Sequence, residues 1–244
     1  MAEIHRFMDA EELARAAAAF IAKRGAQAIG QKGRFSLALA GGSTPSDIYR
    51  RLPQVFLQHR IEWRRVHVFW GDERCVPLDH PSSNFRTANE DFLASVPIPL
   101  ANVHPIRCAE DPPRGAEAYE KTLRDHFGRA AWPAFDLVLL GLGADGHTAS
   151  LFPGSPSLDE AERWVAADYV TKLESWRVSL TPPAINASGS VAFLVRGKEK
   201  SKALRHVLQG ESDPHRWPAQ IIQPKNGSLH WFVDEAAAVL LDPL

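Results

Sequence analysis

An α/β fold with a mainly parallel sheet between layers of helix is the architecture this sequence predicts. Short β-rich runs alternate with helical patterns along the chain. Three of the runs are apolar almost throughout, as strands covered on both faces must be. Three are followed at once by glycine, hydroxyl or charged residues, the place where open α/β sheets bind ligands.

The elements follow in order. Near the start, "LARAAAAFIA" is apolar enough for the centre of a signal peptide, but "DAEE" precedes it where a basic region would stand. It reads as a helix, capped by Asp9 with Glu12 completing a capping box. A strand at 35–40 ("FSLALA") leads to a helix at 45–58, opened by Pro45. A strand at 66–70 ("VHVFW") precedes helices at 84–94 and 112–127. Strands at 135–141 ("FDLVLLG") and 191–197 ("VAFLVRG") come next, then a helix at 198–209 closed by Gly210. A strand at 229–233 ("LHWFV") ends the series. Proline clusters fall between elements rather than in a long polar linker, so a single domain over 1–244 is expected.

Composition narrows the function. The 244 residues, 45% apolar and 23% charged, suffice for a substantial core. A formal net charge of −1 with both signs dispersed leaves no electrostatic footprint for nucleic acid or an anionic membrane. No apolar stretch nears the roughly 20 residues that span a bilayer. The two cysteines, Cys75 and Cys108, stand in neither C-x-x-C nor zinc-like spacing. Neither a disulfide framework nor a structural zinc is therefore expected, and a reducing cytoplasm is the default compartment.

Chemistry-bearing residues gather at the strand ends. After the first strand, "AGGSTPSDIY" offers Gly41 and Gly42 for a tight turn and Ser43 and Thr44 at a helix start, a ready site for a phosphate or carboxylate. The bland alternative is helix capping by Ser43 or Thr44, with Asp47 closing a box from Thr44. After the second, Asp72, Glu73 and Arg74 could receive sugar hydroxyls and clamp an oxyanion; the alternative is a solvated loop. Asn84 suits either a helix cap or a ligand contact. After the third, "GLGADGH" puts Asp145 and His147 on a glycine-rich loop. Histidine is suited to proton transfer near neutral pH, and Asp145 or Asp72 could fix its tautomer. A metal held by His147, Asp145 and Asp72 matches no familiar ligand spacing.

Five blocks, "LALAGGSTPSDIY", "VFWGDERCVP" with "SSNFR", "LLGLGADGHTASLFPGSP", "RVSLTPPAIN" and "VRGKEKSKAL", occur in this order and together resemble the 6-phosphogluconolactonase family across nearly the whole chain. The resemblance implies a Rossmann-like three-layer αβα sandwich, shared with glucosamine-6-phosphate deaminases and ribose-5-phosphate isomerases. It implies hydrolysis of 6-phospho-D-glucono-1,5-lactone, a small sugar-phosphate substrate, with neither metal nor organic cofactor. The deaminase relatives carry a glutamate just after a similar Asp-Gly-His block; this chain has Phe152 there. A non-catalytic sugar-phosphate sensor is the rival from another class, but no helix-turn-helix extension fits before Asp9.

On this reading His147 takes a proton from water attacking the lactone carbonyl, and Asp145 or Asp72 orients it. Arg74, with backbone N–H groups near Gly42, stabilises the oxyanion. The phosphate lies against Ser43 and Thr44, with Lys198 and Arg177 adding charge. Each of these two cations has a plain surface alternative. A cytoplasmic monomer or weak homodimer is expected.

Overall fold

The computed structural model describes residues 2–59 and 61–242. Met1 and residues 243–244, the ends of the expected single domain, lie outside them. The strands are β1 (Glu3–Phe7), β2 (Phe35–Leu39), β3 (Val66–Trp70), β4 (Asp72–Arg74), β5 (Leu137–Gly141), β6 (Val165–Val170), β7 (Ser175–Leu180), β8 (Ser190–Val195) and β9 (Ser228–Asp234). The helices are α1 (Ala10–Lys32), α2 (Ser43–Tyr49), α3 (Leu52–Gln58), α4 (Asn84–Asp91), α5 (Pro112–Phe127), α6 (Pro182–Asn186), α7 (Ser201–Gln209) and α8 (Glu235–Ala238).

The main sheet has the order β1-β9-β8-β5-β2-β3 with every pairing parallel. Its central strands are the apolar runs: every residue of β2 and β8 is buried. The chain steps one way along the sheet from β1 to β2 to β3, and the other way from β3 to β5 to β8 to β9. Right-handed crossovers then put α1, α2 and α3 on one face and α5 and α7 on the other, giving the three layers. Packing of α1 against both α2 and α3 agrees with that. A stacked Phe193–Trp231 pair, ring centroids 3.8 Å apart, joins β8 to β9 in the core. Truncating Trp231 to alanine there would cost about 3–5 kcal/mol.

Some elements differ from expectation. The edge strand β1 and the antiparallel sheet β4-β7-β6 carry no continuous apolar run, and β1 is largely half-exposed, so periodicity does not reveal them. The helix expected at 45–58 breaks into α2 and α3. Pro53 cannot donate to the carbonyl of Tyr49 and its ring would collide with it. The helix expected at 84–94 stops at Asp91, and Phe92 at φ −156° turns the chain into a short 3₁₀ turn. The stretch 198–209 begins as a 3₁₀ turn at Lys198–Lys200, and Gly210 closes α7 in an extended rather than left-handed conformation. Asp9 caps α1 by accepting from Glu12 N at 2.8 Å, but Glu12 reaches Met8 N rather than Asp9 N.

Cys75 and Cys108 are joined by a disulfide, with Cα atoms 4.8 Å apart, contrary to the expectation from their spacing. Separation by 33 residues hides their adjacency, because the loop before α5 folds back beside the end of β4. The cysteines therefore no longer argue for a reducing compartment. No helix among the described residues is long and apolar enough to cross a membrane.

Two buried tyrosines set the ends of the strands that matter. Tyr49 Oη donates to Ala40 O at 2.8 Å and accepts from Ala40 N at 2.9 Å; Tyr119 does the same for Trp70, at 2.9 Å each. Burial pushes both phenols well above their ordinary range, so they stay neutral. Each satisfies a backbone pair that would otherwise be orphaned just where its strand gives way to a loop.

Candidate active site

Strands β2 and β5 are neighbours, yet the chain leaves β2 for β3 on one side and β5 for β8 on the other. The loops beyond this switch point diverge and leave a crevice. Two lobes open there. One, of about 290 Å³, is lined by Gly41, Gly42, Ser43, Thr44, Arg196 and Lys200, among others. The second, of about 580 Å³, is lined by Asp145, Phe152, Lys172 and Arg177. Asp72, Arg74, His147 and Ala149 belong to both, and Asn84 to the first.

At the shared wall His147 Nδ1 lies 2.5 Å from Asp145 Oδ1. The imidazole N–H beside it, burial notwithstanding, holds the Asp145 carboxyl well below the usual carboxylate range. An ionised carboxylate on Nδ1 requires the proton there, which leaves the Nε2 lone pair free. Lys172 Nζ, on a side chain 75% exposed, is 3.4 Å from the other oxygen of Asp145. The loop can fold this tightly only with glycine at position 143, where a Cβ would stand 2.0 Å from His147 Nδ1.

Asp72 is engaged elsewhere: its Oδ2 accepts from Ser150 Oγ at 2.6 Å, and its backbone carbonyl accepts from Asn84 Nδ2 at 2.9 Å. Asp145 is thus the histidine's partner in this geometry, and Asp72 stands across the cleft. Asn84 is 3% exposed and its Oδ1 has no hydrogen-bond partner among the described residues. That oxygen packs on Gly41, whose absent side chain makes room for it; a Cβ there would lie 1.9 Å away.

Glu73, 1% exposed, turns away from the cleft. Its carboxylate accepts from Asn84 N at 2.7 Å, Phe85 N at 2.8 Å and Ser83 Oγ at 3.1 Å, fastening the start of α4 to β4. Burial pushes its carboxyl up against those hydrogen bonds. Glu73 is a structural clamp rather than a receiver of sugar hydroxyls.

Arg74 and Arg177 are directly opposite in the β4–β7 pairing and both line the second lobe. Burial, reinforced by the like charge of Arg74, lowers the affinity of Arg177 for its proton. Two adjacent guanidiniums cost energy unless an anion lies between them. Arg177 is therefore placed with Arg74, not with the hydroxyl turn where it was expected.

Gly42 is the N-cap of α2, and no side chain caps that helix among the described residues. Asp47 pairs instead with Arg50 and Arg196, so the capping box from Thr44 does not form. Lys198 does not line either lobe, whereas Lys200 does. In a 3₁₀ turn of three residues per turn, positions two apart face different ways. Among the described residues the converging three-donor groups lie away from the cleft, so His147, Asp145 and Asp72 are not arranged as a metal site.

A family model described as glucosamine-6-phosphate isomerases/6-phosphogluconolactonase matches residues 8–231. The chain belongs to this family. Within it, the chain is 44% identical over 220 residues to a 6-phosphogluconolactonase of Synechocystis sp., covering 89% of each. It is 40% identical over 238 residues to one of Rattus norvegicus, covering 96% of this chain and 92% of the relative. A solved 6-phosphogluconolactonase from Trypanosoma brucei superposes with a TM-score of 0.87 at 32% identity, covering 99% of both chains.

Four residues of this family member's cleft escape the sequence reading: Arg196, Lys200, Ser150 and Lys172. The first two lie in the "VRGKEK" block already singled out, which names a basic cluster but not the face each member takes. Ser150 is three residues beyond His147, and its contact with Asp72 spans 78 positions without a motif.

Proposed function

We propose that this chain hydrolyses 6-phospho-D-glucono-1,5-lactone to 6-phospho-D-gluconate, the ring-opening step of the oxidative pentose phosphate pathway, with His147 as general base. One observation carries the reading: His147, its Nδ1 engaged by an ionised Asp145, forms the wall between a hydroxyl- and cation-lined lobe and an arginine-lined one. Nε2 takes a proton from water as its oxygen attacks C1. The carbonyl electrons move to oxygen, and Arg74 with Arg177 stabilises the oxyanion. On collapse the bond from C1 to the ring oxygen breaks, and the imidazolium returns its proton to that oxygen as the hydroxyl of the open chain. The new carboxylic acid loses its proton to solvent. No co-reactant other than water is consumed.

The 6-phosphate is held in the first lobe by Ser43, Thr44 and Lys200, with Arg196 behind them; Lys198 is withdrawn from this role. Remote phosphate binding orients the carbonyl against His147. Deaminase chemistry is disfavoured because the ring of Phe152 packs on His147, centroids 4.3 Å apart, where the relatives' glutamate would fall. We read the protein as a monomer or weak homodimer, and the pathway suits the cytoplasm.

The deciding experiment offers freshly generated phosphogluconolactone and follows acid release above the spontaneous background. Glucosamine 6-phosphate is tested beside it with ammonia detection. Turnover of the lactone alone is expected. Ammonia release would favour the deaminase, and tight sugar-phosphate binding without either turnover would favour a sensor.

A further inference from the structure

Away from the cleft, three histidines converge. His67 is the second residue of β3, His104 follows the 3₁₀ turn Leu100–Asn102, and His126 lies one residue from the end of α5. Each is half-buried, and one ring nitrogen from each lies within 4.8 Å of the others. The His67 and His104 rings stack, with Nδ1 of one 3.4 Å from Nε2 of the other. That separation is the edge of a tetrahedron with metal–nitrogen bonds of about 2.0–2.1 Å, which is roughly 3.3 Å. It is long for a hydrogen bond between neutral imidazoles.

We propose that His67, His104 and His126 form a binding site for one zinc-class divalent cation, a structural staple at the end of the sheet opposite the cleft. Three imidazoles without thiolate or carboxylate select zinc and its first-row neighbours over magnesium or calcium. His126 Nε2 is 2.9 Å from Ser36 Oγ, so the hydroxyl either supplies the fourth ligand or orients the water that does. The rings of Phe69 and Phe127 pack on His104 and His126, with Phe135 packed behind them. Such a bond would join β3, the loop before α5 and the end of α5, segments 37 and 22 residues apart in sequence (67 to 104, 104 to 126).

Burial and mutual proximity keep these imidazoles unprotonated near neutral pH, the form that binds metal. Two cations lie nearby. Lys32 is already paired with Asp136 at 2.7 Å, whereas Arg34 acts on both His67 and His126 and opposes a divalent charge. Arg34→Gln should therefore tighten binding.

A second group, Glu3, His5 and His230, is the competing explanation for any bound zinc. Its two histidines already bond each other, Nε2 to Nδ1, at 3.2 Å. The test titrates zinc into chelator-stripped protein against a chromophoric chelator. One equivalent should bind, with affinity at least about tenfold weaker in both His67→Ala and His104→Ala, and unchanged in His5→Ala. Cobalt in place of zinc should give the visible bands of a tetrahedral site. At free zinc about a hundred times Kd, the melting temperature should rise by roughly 5–10 °C. Circular dichroism verifies that the variants are folded. Absence of stoichiometric binding, undiminished binding in both alanine variants, or loss of it in His5→Ala would each overturn the assignment.

Discussion

His147 and the trio of His67, His104 and His126 occupy opposite ends of the same sheet and keep different company. His147, with 30% of its side chain exposed, faces a carboxylate 2.5 Å away that stays ionised. The trio faces imidazoles and phenyl rings, and burial brings His104 down to about 4 and His126 to about 3. Strand β2 touches both regions: Ser36 meets His126 near its start, and Gly41 forms the cleft just past its end. A carboxylate on one ring nitrogen fixes a tautomer and leaves the other nitrogen able to take a proton from a substrate. Packing among neutral rings removes the proton and leaves lone pairs, which suits a metal or a quiet core but not a base near neutral pH. Position at the carboxyl ends of β2 and β5 does the rest, because there the diverging loops open a cleft.

The contrast breaks most visibly if the two kinds of histidine are exchanged in importance. His147→Asn should lower kcat by roughly two to four orders of magnitude on phosphorylated and unphosphorylated gluconolactone alike, with the fold retained by circular dichroism. A variant keeping most of its activity would remove the imidazole from the chemistry and return the role of base to Asp72.

Within the cleft, gripping and reacting should separate. Lys200→Ala should raise KM for the phosphorylated lactone about tenfold or more, the equivalent of roughly 1.5–3 kcal/mol for a charge-assisted contact. Hydrolysis of unphosphorylated gluconolactone should hardly change, and Lys198→Ala should change neither. Equal losses on both lactones would mean that Lys200 steadies the fold instead. A KM effect from Lys198 alone would reverse the assignment that the 3₁₀ turn suggests.

How much of this was legible depends on whether the signal is local. The five β-rich runs, helix α5 and the glycine turns lie in consecutive residues, and the chain declares them. Sequence also brought His147 together with Asp145, since they are two positions apart. It left Asp72 as an equal candidate, because the hydroxyl of Ser150 that occupies Asp72 approaches from 78 residues away. The choice between Lys198 and Lys200 turned on whether that stretch starts as an α-helix or a 3₁₀ turn, which composition does not decide. The pairing of β4 with β7, the disulfide and the histidine trio rest on long-range contacts between residues that individually look like surface or loop, while the β6–β7 hairpin is local but lacks a continuous apolar run.

For the trio, neutrality makes its own demand on stability. The unfolded chain binds protons on these histidines below about pH 6.5, while folded His104 and His126 refuse them until about 4 and 3. The folded state therefore loses stability as pH falls below about 6.5, and the loss continues to accumulate toward pH 4. Between pH 7 and pH 5, urea unfolding of metal-free protein should show about 1–2 kcal/mol of this loss, discounted for partial exposure. His230 is lowered too, so the quantity to read is the difference between the parent and His126→Gln. Identical pH slopes for the two proteins would show that His126 titrates as it does in the unfolded chain.

The smallest effect expected is on turnover when the trio alone is changed. Ser36 and Gly41 are separated by most of a strand, about 13–17 Å at 3.3 Å per residue, and sites that far apart without shared partners act additively. Saturating the protein with zinc, or replacing His104 by Gln, should therefore move kcat on phosphogluconolactone by no more than about twofold. Stripping metal with a strong chelator should do as little, since the proposed mechanism has His147 activate water without an ion. Measured beside melting temperature, the outcome separates the two ends of the sheet: stability should follow the metal and the rate should not. A rate that fell with the chelator and returned with zinc would tie the trio to the cleft and end the contrast between a reacting histidine and a stapling set.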